Sequence, residues 1–186
     1  MKNLTQLRRS FQEGQSLPSN SIDQGILNSW QRCADLGLSM NARANYELLE
    51  TRSLDRLMRR NAQLLSAAKH PIEQLNAAIS RAGWSILLTD QDSVSIHTRC
   101  SEYLDNRRIA EAFKVGSLLS EAAIGTTAMS CALTEKKFTR VYGFEHYNEH
   151  HRQFHCAATP VFDPLGKVCG ALDITSENPH THEGTF

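Results

Sequence analysis

A chain of 186 residues is long enough for one domain with a substantial core, or for one domain with a helical appendage, and too short for two full domains. Its 40% hydrophobic and 22% charged content excludes general disorder and a fibrous repeat. Twenty Lys and Arg balance twenty Asp and Glu, so the chain as a whole offers no electrostatic footprint for wrapping nucleic acid, and no direct nucleic-acid binding is expected.

In chain order, residues 1–16 fit a polar helix with Leu4, Leu7 and Phe11 in one stripe, read as a frayed or partner-dependent arm ahead of the breaker LPSNS at 17–21. Ile22, Ile26, Leu27, Trp30, Cys33 and Ala34 then recur at helical spacing, with Ser21 or Asn20 as the expected N-cap and Gly37 as the stop. From Tyr46 to Arg81 the apolar period stays near 3.6 residues, and Pro71 is expected to kink one long helix or divide two. The arginines Arg52, Arg56, Arg59 and Arg60 alternate with Leu54, Leu57 and Met58, which reads as the wet face of an amphipathic helix.

After Gly83 the period changes. WSILLTD (84–90) and VSIHTRC (94–100), separated by polar turn residues, predict a β-hairpin, and residues 101–113 return to helical or irregular character. AAIGTTAMSCALTEKK (122–137) reads as a loop entering a helix. FHCAATPVFD, the turn 163–166 and KVCGALDIT form a second hairpin, with Pro164 pre-setting φ and Gly166 tolerating positive φ. This order is wrong for a doubly wound sheet and predicts an α+β fold, an antiparallel sheet flanked by helices and preceded by an N-terminal helical segment. The expected organisation is a helical arm at 1–45, a long helix or helix pair at 46–82, a sensor core at 83–176 and a polar tail at 177–186.

No apolar run approaches the ~20 residues that span a bilayer, and the N-terminus has no continuous apolar signal segment, so a cytoplasmic location is expected. Five scattered cysteines without a CxxC pair predict free thiols. Cys156 and Cys169 fall on the two strands of one hairpin, where proximity would allow a redox switch.

Three stretches could carry chemistry. EHYNEHHRQFHC (145–156) holds four of the eight histidines. If 145–152 is helical, His146 and His150 share a face at i and i+4, a metal-ligating spacing that Glu149 or Cys156 could complete. Cys156 follows His155 directly, and adjacent strand residues point to opposite faces, which keeps His155 from activating that thiol. In SEAAIGTTAMS (120–130), Glu121, Thr126 and Thr127 could meet a polar ligand at the entry of the next helix, while simple capping explains them about as well. No GxxxxGK[ST] and no GxGxxG after a strand is present, so nucleotide hydrolysis and dinucleotide binding have no support, and no cofactor is expected.

Taken in order, Ser29-Trp30-Gln31-Arg32-Cys33 with Gly37-Leu38, Leu88-Thr89-Asp90, Ser120-Glu121 with Gly125-Thr126-Thr127-Ala128, Glu145-His146, Cys156-Ala157-Ala158-Thr159-Pro160-Val161, Asp163-Pro164-Leu165-Gly166 and Gly170-Ala171-Leu172-Asp173 resemble the N-terminal sensor region of the acetoin-catabolism type of sigma-54-dependent transcriptional activators. The core of that region is a GAF domain. The likeness runs from about Ser29 to Ser176, and Asp90-Gln91-Asp92-Ser93 departs from the Asp-x-Gly turn common in the family.

The resemblance implies a non-enzymatic sensor that binds a small effector, an acetoin-like ketol or related metabolite, and so controls an AAA+ ATPase and a helix-turn-helix portion absent from this sequence. A sensor portion of a longer activator is expected over a free-standing sensor. Its ligand-binding candidates are Glu121, Thr126, Thr127, His146, Cys156 and Thr159. The alternatives are a metal or haem sensor built on His146 and His150, and a GAF-type methionine sulfoxide reductase. The apolar stripes at 21–36 and 46–81 exceed what one small sheet need cover, and predict a helical homodimer.

Overall fold

The computed structural model describes residues 4–18, 21–42, 44–101 and 107–177. The expected N-cap Asn20 and all but the first residue of the polar tail 177–186 lie outside them. Five strands, β1 (Trp84–Asp90), β2 (Ser95–Arg99), β3 (Thr139–Tyr142), β4 (Phe154–Phe162) and β5 (Val168–Glu177), form one antiparallel sheet in the order β2-β1-β5-β4-β3. Helices α1 (Leu4–Gln12), α2 (Gln24–Asp35), α3 (Thr51–Arg60), α4 (Ala62–Ile79), α5 (Arg107–Ala112), α6 (Glu121–Ile124) and α7 (Ala128–Glu135) surround it. This is the GAF-like α+β architecture, and no helix among the described residues is long and apolar enough to cross a membrane.

Strand alternation sorts the core onto two faces. Ile86, Leu88, Val94 and Ile96 pack with Leu57 and Ile72 under α3 and α4. Leu87, Phe154, Cys156, Ala158 and Ala171 turn the other way and meet Ile26, Trp30 and Cys33 of α2 with Ala128, Met129 and Ala132 of α7. The expected segments 1–45 and 46–82 therefore cover opposite faces of one sheet. The stripe Ile26, Trp30 and Cys33 of α2 is spent inside the chain, each with at most 1% of its surface exposed.

Two local expectations change. The helical stretch divides at Asn61, whose side-chain amide donates to the Leu57 carbonyl at 3.0 Å and closes the last turn of α3. Pro71 instead sits inside α4, on its exposed side, where water can take the carbonyl that its missing N–H leaves free. The cap of α2 is Asp23, whose carboxylate accepts from Gly25 N at 2.8 Å, and not Ser21. Gly37, at φ 74°, ends that helix as expected.

The N-terminal arm is docked. Leu7 is buried, Phe11 meets Trp30 edge-on at 5.3 Å, and the buried Arg8 donates to the carbonyls of Phe144 (3.0 Å), His146 and Tyr147 (2.9 Å). A guanidinium with its fork filled by main-chain acceptors fixes this short helix where an apolar stripe alone would fray.

Candidate functional site

The segment 143–152 is not one helix. Two 3-10 turns, Gly143–Glu145 and Glu149–His151, flank an extended stretch at His146, Tyr147 and Asn148. The i,i+4 premise for a metal pair therefore fails: His146 turns inward with 1% exposure while His150 faces solvent. Among the described residues no group of three or more His, Cys, Asp or Glu side chains is placed to hold a metal ion.

The N-terminal region holds this segment in place. Trp30 Nε1 donates to the Glu145 carbonyl at 2.8 Å, the Tyr147 hydroxyl to Leu38 O at 2.8 Å, Asn148 Nδ2 to Ala42 O at 2.9 Å and Glu149 N to Met40 O at 2.8 Å. Together with Arg8, these bonds set the wall of an internal cavity of about 40 Å³. Leu87, Phe154, Cys156 and Thr175 form its floor on β1, β4 and β5; Phe113, Leu119, Ile124, Thr127 and Met129 cover it; His146, His151 and Tyr46 close one side. The described lining contains no Asp, Glu, Lys or Arg.

Burial keeps both imidazoles neutral. The His146 pKa falls to about 3, with the neighbouring His151 adding to the effect of desolvation, and that of His151 falls to about 4. His146 Nδ1 lies 3.0 Å from the Gly143 carbonyl, which can only accept, so Nδ1 carries the proton and Nε2 presents a lone pair. Cys156 Sγ lies 3.5 Å from that Nε2. On its other side Thr175 Oγ1 lies 3.3 Å from Cys156 Sγ and 2.6 Å from Asp173 Oδ2.

The single hydroxyl proton of Thr175 can serve only one of these neighbours. Asp173, fully buried and with its pKa pushed up to about 8 by desolvation, resolves the conflict by holding its own proton. The buried chain then runs Asp173 to Thr175 to Cys156 to His146 to the Gly143 carbonyl, each member donating to the next. His151 Nε2 meets the Tyr46 hydroxyl at 2.7 Å, while its Nδ1, buried and on the cavity wall, has no hydrogen-bond partner among the described residues.

The six ligand candidates are divided by this arrangement. Thr127, His146 and Cys156 line the cavity. Thr127 also caps α7, accepting from Ser130 N at 3.2 Å. Glu121 is committed to α2: Arg32 Nε and Nη2 each donate to it at 2.7 Å, and Ser29 Oγ at 2.6 Å. Thr126 is buried beside them, its hydroxyl 2.8 Å from the same Ser29 Oγ, to which it donates because the single Ser29 proton goes to Glu121. Gly125, at φ 79° and pressed against Tyr147, makes the turn that separates these anchoring residues from the cavity-lining Thr127. Thr159 is exposed, three residues along β4 from Cys156 and so on the opposite face.

The cysteines do not form a redox pair across the hairpin. Cys156 is registered with Thr175, whereas Cys169 lies near Val161 and Phe162, and every cysteine is a free thiol. Burial raises all five thiol pKa values, that of Cys131 to about 12, the reverse of what a nucleophilic thiolate needs.

Tyr46, His151, Asp173 and Thr175 were absent from the sequence-derived site. For Asp173 and Thr175 a signal existed, since they share strand parity with the inward Ala171. For His151 none did, because a 3-10 turn has no periodicity that separates it from the exposed His150.

A family model described as the MimR N-terminal domain matches residues 3–183. The acetoin dehydrogenase operon transcriptional activator AcoR of Bacillus subtilis is 28% identical over 161 residues, covering 84% of this chain and 26% of that protein. The propane 2-monooxygenase operon transcriptional activator MimR of Mycolicibacterium smegmatis is 25% identical over 174 residues, covering 90% of this chain and 28% of its own length. An uncharacterized 47.3 kDa protein of Rhodococcus erythropolis is 26% identical over 182 residues, and this chain spans 41% of it. The chain thus spans well under half the length of these relatives. Among solved structures, the DhaR(N) fold in the E. coli DhaR(N)-DhaL complex superposes with a TM-score of 0.77 at 19% identity, covering 84% of this chain and 53% of that one.

Proposed function

The chain belongs to the MimR N-terminal domain family, and from that premise we propose that it is the ligand-sensing regulatory domain of a bacterial sigma-54-dependent transcriptional activator. The effector is a small metabolite of the acetoin-like ketol class, bound in the internal cavity. Its differential affinity for two arrangements of the domain controls an ATPase and DNA-binding portion of the full-length cytoplasmic regulator. The domain itself makes and breaks no bond.

One observation carries this reading: an apolar cavity inside the sheet's α7 face, walled by two neutral imidazoles and by backbone that α1 and α2 clamp. A few convergent polar groups in a mostly apolar enclosure suit a small polar-apolar ligand. The relatives named for acetoin and propane metabolism agree in chemical scale. A helical homodimer through the segments 21–36 and 46–81 is part of the same reading; a monomer mass in light scattering at high concentration would remove it.

The test is the thermal unfolding midpoint of the purified chain against ketols, diols, alcohols and phenols, each with and without chelator. A ligand that binds only the folded state at ~100 times its Kd adds about 2.7 kcal/mol, a readily visible rise. A dose-dependent rise that survives chelator supports the reading. A panel that is flat throughout overturns it.

A further inference from the structure

Among the described lining residues, His151 is the one whose hydrogen bonding is left incomplete. Its ring is buried to 5% exposure, held edge-on by His146 at 6.0 Å between ring centroids and packed near Phe154 at 6.3 Å. Tyr46 occupies Nε2 at 2.7 Å, so the ring is oriented, and Nδ1 stays unpaired on the cavity wall. A buried polar atom without a partner is costly, on the order of 1–3 kcal/mol, and that cost is recovered when a ligand supplies the missing hydrogen bond.

The other polar groups of the lining are already engaged. His146 spends Nδ1 on Gly143 and Nε2 on Cys156, Cys156 and Thr175 satisfy one another, and Thr127 caps α7. Among the described residues a ligand oxygen has one open position to meet. The cavity of about 40 Å³ compares with the ~10–15 Å³ that one water needs and the ~150 Å³ that holds benzene, so a small organic occupant enters only as flexible lining side chains such as Met129 give way. With no charged side chain in the described lining, a carboxylate or ammonium would enter without a counter-ion, at a desolvation cost an uncharged ligand avoids.

Resting on the proposed sensor reading, we propose that His151 is the specificity-determining anchor of the cavity, and that its ligand is a small uncharged compound with one carbonyl or hydroxyl oxygen set against His151 Nδ1. A carbonyl accepts from Nδ1–H when Tyr46 donates to Nε2. A hydroxyl donates to Nδ1 when Nε2–H donates to Tyr46. The two tautomers give the same site two faces, and Tyr46 follows the ligand by rotating its hydroxyl proton.

The probes are 2-butanone, 2-butanol, the oxygen-free isostere 2-methyl-1-butene, butanoate and butylammonium, titrated calorimetrically into the intact chain and into His151→Phe. The native chain is expected to bind 2-butanone or 2-butanol, whichever matches its tautomer, and to bind both ions at least ~10-fold more weakly. His151→Phe is expected to lose roughly 10- to 100-fold in affinity for the oxygenated probe and to keep that for 2-methyl-1-butene within a factor of about three.

Equal affinity of the native chain and His151→Phe for the oxygenated probe overturns the anchor while leaving the sensor reading intact, as does ion binding on a par with the neutral probes. Binding of acetoin in the panel above together with failure of every neutral probe here shows that one oxygen on one anchor does not suffice, and overturns the anchor while leaving the sensor reading intact. Failure of acetoin and all other small molecules to bind removes the sensor reading itself. Should His151→Phe not fold, imidazole ¹⁵N shifts in the native chain decide. The His151 Nδ1 resonance moves on addition of the oxygenated probe and stays put with 2-methyl-1-butene; no movement with either refutes the anchor.

Discussion

Replacing Asp173 by Asn should remove a pH dependence of stability that the native chain carries between pH ~4 and 8. With its pKa at about 8, the folded carboxyl keeps its proton through neutrality, while the unfolded aspartate, near ~3.9, has lost it. Between those values folding takes up a proton. The stability tied to the neutral carboxyl is fully present below pH ~4 and is lost as pH rises towards 8, at about 1.4 kcal/mol per pH unit. His146 and His151 act in the opposite sense, since their folded values of about 3 and about 4 lie below the unfolded ~6.5. Their contribution is present above pH ~6.5 and lost as pH falls, so in the window from pH ~6.5 to 8 both are silent and Asp173 is read against them.

Urea unfolding at fixed ionic strength should show the native chain losing roughly 2 kcal/mol between pH ~6.5 and 8 relative to Asp173→Asn, which lacks the titration and can still pair with Thr175. Near pH 4, where the carboxyl is neutral in both states, the two should differ little, and near pH 6 the variant should already be ahead by roughly 2–3 kcal/mol. Other groups titrate in both proteins and cancel in the difference. Parallel stability curves across this window would mean that Asp173 is ionised in the fold, and the donor chain from Asp173 to His146 would be wrong.

Arg8→Met keeps much of the side chain's apolar length and leaves the carbonyls of Phe144, His146 and Tyr147 without their donor; it should cost about 2–4 kcal/mol in urea unfolding and shift the emission of Trp30, over which the guanidinium sits at 5.6 Å. A loss under ~0.5 kcal/mol would show that α1 is not held by this fork. Gly170→Ala should destabilise by at least ~2 kcal/mol, because its Cβ would overlap the Thr89 carbonyl oxygen on the neighbouring strand and the β1–β5 pairing would have to move. An unchanged midpoint would contradict that close approach.

What was legible in the sequence was whatever had a period. The hairpins of β1 with β2 and β4 with β5 follow from alternation and turn chemistry, and α2 from its Ile26, Trp30 and Cys33 stripe. β3 was missed because Thr139–Tyr142 allows only two alternations, too few to separate a strand from a loop. The α3–α4 break was misplaced because Pro71 is a loud local signal while Asn61 acts through a side-chain bond to Leu57 that no pattern announces. Thr159 was grouped with Cys156 through their shared motif, although an odd separation along a strand puts them on opposite faces; strand parity would have corrected it. His151 needed the fold, since only the loop's attachment to residues 38–42 turns that histidine inward and its neighbour out.

That attachment also gives the sensor reading its physical route. A ligand in a rigid pocket changes nothing elsewhere unless some bound group belongs to an element with two positions. Here the cavity wall and the N-terminal region share the backbone of residues 144–149: His146 faces the cavity, while carbonyls on either side of it accept from Arg8 of α1 and Trp30 of α2. Displacing the 3-10 turns by even a fraction of an ångström to seat an occupant therefore strains the bonds that hold α1 and α2, and tightening those bonds narrows the cavity. Reciprocity follows from the shared backbone: whatever stabilises α1 and α2 in place must alter ligand affinity by the same free energy that ligand returns to them. Arg8→Met, which cuts the α1 half of the link without touching the lining, should accordingly shift the affinity for the oxygenated probe, and an affinity equal to that of the native chain would show that α1 and the cavity are independent.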